Sequence, residues 1–214
     1  GRVYQSIDGG NEFIDITRNL PNEPKFIVKH QAGNDHNPIF VGTSLGVYRL
    51  DDTNVDWQVF SNNLPNVPVR DIELNNVDNN ITIATYGRGV WRSNFPAYSA
   101  VTNDVGLFSV DRAPSVLGCG DYTPTIIIKN NGTNTLTAAT VNYTIDATPY
   151  VYNWTGSLAP NSYETVALNP VTPAGVGFHT LNVQITTTGD ALADNNAMST
   201  TFSSNDSVNT VRLF

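Results

Sequence analysis

The sequence predicts an all-β chain: a partial β-propeller of about two four-stranded blades, followed by an immunoglobulin-like β-sandwich. Three observations predict it. First, Val3-Tyr4-Gln5-Ser6 aligns with Val47-Tyr48-Arg49-Leu50 at an offset of 44 residues, which also carries Asn19-Leu20-Pro21-Asn22 onto Asn63-Leu64-Pro65-Asn66. A third copy opens at Gly89-Val90-Trp91-Arg92-Ser93. A period of roughly 40–45 residues in a strand-rich chain is that of propeller blades. Second, this pattern is lost after Phe95, and short alternating runs separated by turn signals take its place. Third, no segment carries a credible helical period.

Taken in order, Val3–Ser6 reads as the third strand of one blade and Phe13–Thr17 as its outer strand. Between them, Ser6-Ile7-Asp8-Gly9-Gly10-Asn11-Glu12-Phe13 spells S-x-D-x-G-x-x-aromatic. A carboxylate there can accept turn N–H groups, and the glycines permit positive φ. The aromatic is expected to pack under the hairpin. Lys25–His30, Ile39–Thr43, Gly46–Leu50 and Trp57–Ser61 then supply one complete blade, rich in Ile, Val and Thr. The 44-residue offset places Asp52 on Asp8 and Trp57 on Phe13, with Leu50, Thr53 and Asn54 replacing Ser6 and the two glycines. Val69–Leu74, Ile81–Tyr86 and Gly89–Arg92 supply three strands of the next blade. Two blades fall short of the roughly four to eight that close a ring, so the chain is expected to be a piece of a longer protein.

The domains read as 1–95 for the blades, 96–101 for a linker, 102–204 for the sandwich, and 205–214 for a tail or the start of a further domain. Phe95-Pro96-Ala97-Tyr98-Ser99 marks the linker. Seven runs follow: Val105–Val110, Thr125–Lys129, Thr140–Ile145, Tyr150–Trp154, Glu164–Leu168, Gly177–Thr186 and Met198–Phe202. Asn131-Gly132, Ala159-Pro160-Asn161 and Gly189-Asp190 are the turns between them. Seven strands in about a hundred residues suggest an immunoglobulin-like sandwich.

The first motif resembles the Asp-box of BNR-repeat propellers, among them sialidases, the sortilin-type ectodomain and xyloglucanase-like glycoside hydrolases. The resemblance covers about residues 1–95 and rests on Ser6, Asp8, Gly10 and Phe13, with Asp52 and Trp57 in the decayed copy. The second half resembles a CARDB-type bacterial module over about residues 102–204. That likeness rests on Asn103-Asp104-Val105, the Asn130-Asn131-Gly132 turn, Trp154-Thr155-Gly156-Ser157-Leu158-Ala159-Pro160, Gly177-Phe178-His179-Thr180-Leu181 and Asp194-Asn195-Asn196. Asp206-Ser207-Val208 resembles the O-glycosylation signal of bacteria that use type IX secretion, which would modify Ser207. Together the resemblances imply an extracellular or cell-surface protein exported across a bacterial outer membrane. Its partners would be a glycan, another extracellular protein or the secretion machinery.

Composition narrows the function classes. Net charge is −8, and both halves are acidic. Nothing attracts a phosphate backbone, so nucleic-acid binding is not expected. No apolar run reaches about 18 residues, so no membrane insertion by a helix is expected. Cys119 is the only cysteine, so no disulfide forms within the chain. It reads as a buried small side chain or as a thiol whose partner lies elsewhere.

No Ser-His-Asp, HExxH, P-loop or dinucleotide fingerprint is legible. His30, His36 and His179 are isolated. Asp51, Asp52 and Asp56 fit a degenerate hairpin better than a calcium loop, and the oxygen-rich set Asp190, Asp194 and Asn195 also reads as a turn ahead of a calcium site. Asp71 and Glu73 share one face of a strand, whereas glycoside hydrolysis needs two acids facing one sugar bond. Tyr86, Arg88 and Trp91 could offer a sugar-stacking surface, with packing between blades the favoured use of the aromatics. No catalytic residue, cofactor or metal is therefore expected. The chain reads as a non-catalytic adhesion or presentation region. The alternatives are the end of a propeller glycoside hydrolase or sialidase-like enzyme with its acids elsewhere, and a type IX secretion cargo captured with its export machinery.

Overall fold

A computed structural model describes residues 1–110, 121–173 and 175–204. Cys119 and Ser207 lie outside the described residues. The chain divides into two compact units, with the boundary between Ser99 and Ala100. The structure is all-β: every element among the described residues is a strand except one short 3-10 turn, Ala193–Asn195.

The first unit holds three antiparallel sheets. β1 (Tyr4–Gln5) pairs with β2 (Ile14–Asp15). β3 (Lys25–His30), β4 (Ile39–Thr43), β5 (Gly46–Leu50) and β6 (Gln58–Val59) form a four-stranded meander in chain order. β7 (Val69–Asn75), β8 (Asn80–Thr85) and β9 (Gly89–Asn94) form a three-stranded one. The bounds of β3, β4 and β5 coincide with the sequence reading. Tight glycine-bearing turns and continuous β-branched runs punctuate them sharply. The outer strands are shorter than expected, because only Tyr48↔Val59 and Arg49↔Gln58 pair at the edge.

The middle sheet is buried on both faces, which explains the unbroken apolar run Ile39-Phe40-Val41. Ile39, Val41, Leu50 and Trp57 pack with Val3, Ile16 and Leu20 on one side. Phe40 and Val47 pack with Val69, Ile72, Ile81 and Ile83 on the other.

The second unit is a two-sheet sandwich. One sheet has the order β10-β11-β14, from β10 (Val105–Val110), β11 (Thr125–Asn130) and β14 (Tyr163–Ala167). The other has the order β13-β12-β15-β16, from β12 (Leu136–Ile145), β13 (Thr148–Leu158), β15 (Gly177–Thr186) and β16 (Ala197–Ser204). Alternation sets the core: His179, Leu181, Val183 and Ile185 face inward along β15 while their neighbours do not. Val105, Ile126, Ile128, Val141, Tyr143, Trp154 and Phe202 complete it. The Trp154 indole N–H donates to Glu164 Oε1 at 2.9 Å, so its one polar atom is satisfied. β12 and β13 run longer than the sequence reading. Leu136 and Leu158 pair across their far ends and close the core there.

Candidate functional site

Asp8 holds its own loop. Its Oδ1 accepts the N–H of Asn11 and of Glu12, each at 3.1 Å, and Oδ2 also accepts from Glu12. Ser6 Oγ donates to Asp8 at 2.7 Å and accepts the Gly10 N–H at 2.7 Å. Gly9 and Gly10 sit at φ +76° and +96°, where a side chain would be strained. The bonds from Glu12 and Ser6 hold the Asp8 carboxyl below the usual range.

Two details depart from the sequence reading. Phe13 does not pack under its hairpin; it is 66% exposed, whereas Trp57 is 3% exposed. Trp57 has a preceding sheet to enter, and its Nε1 donates to the Ile16 carbonyl at 2.7 Å. In the second copy, Asp51 rather than Asp52 holds the turn. Asp51 Oδ1 accepts the Thr53 N–H at 3.0 Å, while Asp52 Oδ2 accepts from Asn37 Nδ2 at 2.8 Å. Thr53 and Asn54 stand where the first copy has its two glycines, and neither adopts their positive φ. Burial pushes the nearby Arg18 guanidinium down to about 10, with Asp56 and Asp52 pulling it back up. Those two acids thus face a guanidinium.

The other singled-out residues of the first unit do not converge. Asp71 and Glu73 are exposed, and Glu73 pairs with Lys29 at 3.3 Å. Tyr86 is exposed, while the Trp91 indole donates to the Arg88 carbonyl at 3.0 Å. His30 is exposed on β3. The His36 ring stacks on Tyr98 at 4.3 Å, and Tyr98 donates to Asp51 Oδ2 at 3.0 Å.

In the second unit, His179 is not isolated. Its Nδ1 lies 2.9 Å from Asp146 Oδ2 and its Nε2 lies 2.8 Å from Ser204 Oγ. The order of partners matches a hydrolytic triad, but the setting does not. His179 and Ser204 are buried, and Ser204 Oγ also donates to the Gly175 carbonyl at 2.9 Å. A nucleophile must face a substrate; this hydroxyl ties strand ends together. The bond with His179, followed by the Thr180 N–H, holds the Asp146 carboxyl below its ordinary value.

The site with unspent chemistry lies at the start of β10. Asp104 is fully buried. Its carbonyl accepts the N–H of Asn131 and of Gly132, so the Asn-x-Gly turn clamps the strand entry. Its Oδ2 accepts from Asn195 Nδ2 at 2.9 Å. Its Oδ1 has no hydrogen-bond partner, and neither do the buried Asp190 Oδ2 and Asn196 Oδ1. Gly106 leaves the room: a Cβ there would meet Asn131 Nδ2 at 2.7 Å and Asn195 at 3.2 Å. Burial raises the Asp104 carboxyl to about 7; Asp190 adds to the rise, and the Asn195 and Asn131 amides oppose it.

The sequence reading placed a turn at Asp190, Asp194 and Asn195. The turn is there, with Asp190 Oδ1 accepting the Leu192 N–H at 3.3 Å. Asp194 is exposed, and Asp104, drawn from the far end of the sandwich sequence, takes its place beside Asp190. No group of three or more His, Cys, Asp or Glu side chains forms among the described residues. Here Asp104 meets one carboxylate, Asp190, and the amides of Asn195 and Asn131 instead.

No family model matches the chain, and no curated protein sequence matches it. Among solved structures, the chain is similar to the CARDB domain of a Pyrococcus furiosus protein solved in complex with di-metal ions. Identity is 22% and the TM-score 0.42, over 50% of this chain and 97% of that domain. It is also similar to the extracellular domain of a one-component system of B. thetaiotaomicron, at 9% identity and a TM-score of 0.34, over 96% of this chain. A third likeness is to the extracellular domain of a hybrid two-component system of the same organism, at 10% identity and a TM-score of 0.32, over 91% of this chain. The chain spans 29% and 28% of the lengths of those two extracellular domains. No helix among the described residues is long and apolar enough to cross a membrane.

Proposed function

We propose that the chain is a non-catalytic extracellular binding or presentation region whose sandwich is locked at one end by a divalent cation, with calcium the best fit. The observation that carries this is the pair Asp104 and Asp190, side by side and each with an unpartnered buried oxygen. A buried carboxylate set beside a half-buried one needs a proton or a cation between them. The donors on offer are all oxygens: two carboxylates, with the side-chain amides of Asn131 and Asn195 adjoining. Hard cations take such sets, and calcium tolerates irregular ones that magnesium does not. A site with only two carboxylates fits the weak range of extracellular modules, about 10⁻⁴–10⁻³ M. That range suits a compartment where calcium is abundant.

Bound there, the ion would join three segments distant in sequence: the entry to β10, the Asn131-Gly132 turn, and the loop from Asp190 to Asn196. It would stiffen one end of the sandwich. The first unit contributes repeated antiparallel meanders on Asp-turn hairpins, which supports reading it as part of an Asp-box propeller. Its singled-out acids are scattered on exposed strands, which favours adhesion or presentation over hydrolysis. The test is titration of the metal-free chain with calcium chloride at pH 8, followed by hydrogen exchange. Slower exchange at 103–106, 131–132 and 187–196 is expected. Unchanged exchange there with calcium, magnesium and manganese at millimolar levels would remove the cation from the reading.

A further inference from the structure

The four-stranded sheet of the second unit turns an uncharged face to solvent. On β15 the residues at 179, 181, 183 and 185 face the core, so Asn182, Gln184 and Thr186 face out. On β12 the same alternation turns Thr140, Asn142 and Thr144 outward. No charged side chain stands on that face among the described residues. Lys129 and Glu164 belong to the other sheet, and Asp146 sits in the β12–β13 turn. The remaining described acids of the unit lie in loops. Solvent-facing sheets commonly carry charges that keep other chains away; this one carries Thr, Asn, Gln and Ser instead.

Asn142 and Gln184 lie directly opposite each other near its centre. Both are exposed, and neither amide has a hydrogen-bond partner among the described residues. The rows on either side are tied down. Asn182 Nδ2 donates to Thr144 Oγ at 3.2 Å, and Thr140 Oγ donates to Asn153 Oδ1 at 3.4 Å. Each free amide offers two donors and an acceptor. Neighbouring strands lie about 4.8 Å apart and same-face residues about 6.8 Å apart, so the face spans roughly 20 Å by 15 Å. Two apolar side chains stand on it, far from one another. Val151 is 54% exposed opposite Asn142, and Phe178 is 90% exposed at the start of β15.

We infer that this face binds an uncharged polysaccharide laid along β15, hydrogen-bonded to Asn142 and Gln184 and stacked by one sugar ring on Phe178. Charge selects the occupant. A small ion finds no opposite charge here, and a polyanion is repelled by a chain of net charge −8. A lipid surface finds only two separated apolar side chains. Free amides demand a partner that both donates and accepts, which sugar hydroxyls do. The exposed ring of Phe178 presents its negative face to the C–H groups of a sugar. The distance from Phe178 to Gln184 along the strand, about 20 Å, suits an extended oligosaccharide rather than a single sugar.

The probes are hydroxyethylcellulose, galactomannan and dextran, with alginate as the charged control, in affinity gel electrophoresis of the whole chain. Retardation by at least one neutral polysaccharide and none by alginate is expected. Asn142→Ala combined with Gln184→Ala should weaken binding about tenfold, the worth of two hydrogen-bonding side chains. Phe178→Ala should weaken it as well. All three positions are exposed, so these variants should fold, as judged by unchanged thermal melting. Thr165→Ala, at an exposed position of the other sheet, should leave binding unchanged. The assay runs with calcium and again with chelator, which separates a failed face from a failed cation site at Asp104. No retardation by any of the three, equal retardation by alginate, or equal weakening by Thr165→Ala would overturn the inference. Self-association of the chain, abolished by the Asn142 and Gln184 changes, would also overturn it by assigning the face to a second copy.

Discussion

Replacing Asp104 by asparagine separates the two demands on this carboxylate, because the substitution should help the metal-free protein and harm the metal-bound one. The folded Asp104 titrates at about 7 against an ordinary value of 3.8. A raised carboxyl means that the folded state holds a proton which the unfolded chain has released. Its contribution is full below pH 4 and is lost as the pH rises through about 7. At 1.36 kcal/mol per pH unit, the interval sets a ceiling of about 4 kcal/mol. Because the rise is shared with Asp190 and opposed by the Asn195 and Asn131 amides, the part that belongs to Asp104 alone is on the order of 2 kcal/mol. Asparagine has nearly the same shape, keeps an acceptor for Asn195 Nδ2, and offers Asp190 a donor.

At pH 8 without metal, Asp104→Asn should therefore raise the melting temperature of the second unit, by roughly 10 °C for a domain of about a hundred residues. The same variant should lose the response to calcium. For the native chain, calcium at a hundred times its dissociation constant adds about 2.7 kcal/mol. That gain should shrink at pH 5, where the proton competes. Scanning calorimetry with and without chelator measures both effects, and hydrogen exchange over 177–204 assigns the transition. An Asp104→Asn protein that is less stable than native at pH 8 without metal, yet still stabilised by calcium, would refute the reasoning on both counts.

Three further outcomes follow from the packing. Trp57→Ala should destabilise the first unit by about 3–5 kcal/mol, through the cavity and the lost bond to Ile16, as measured by urea unfolding. A cost below about 1 kcal/mol would mean that the inter-sheet gap collapses freely. Phe13→Ala, at the equivalent repeat position, should stay within about 0.5 kcal/mol because the ring is in solvent; a loss comparable to Trp57→Ala would contradict its exposure. His179→Ala should cost about 2–3 kcal/mol, since it removes a buried ring and its bonds to Asp146 and Ser204, and a neutral result would remove the clamp reading.

The strands were legible where the chain obeys one local rule. β3, β4 and β5 combine β-branched runs with glycine turns, and their bounds fall where those signals fall. Outer strands were over-read, because pairing at an edge depends on a neighbour rather than on propensity. Phe13 and Trp57 show the same limit: the repeat makes them equivalent, but Trp57 packs with Ile16 and Leu20 while Phe13 stays in solvent. The His179 network was hidden for a related reason, since Asp146 and Ser204 lie 33 and 25 residues away.

The acidic site was legible only in part, and physically this was the part that mattered less. A local reading groups Asp190, Asp194 and Asn195 because they are near in sequence. The fold exposes Asp194 and brings in Asp104, 91 residues from Asn195, through the clamp on its carbonyl. The Asn-Asn-Gly turn, read first as punctuation, makes that possible. Asn130 donates to the Asn134 and Leu158 carbonyls at 2.8 Å and accepts the Gly132 N–H at 3.0 Å, fixing the loop that receives Asp104. A buried acid held this firmly cannot swing to water to relieve its charge. The same rigidity would present its oxygens to the proposed ion.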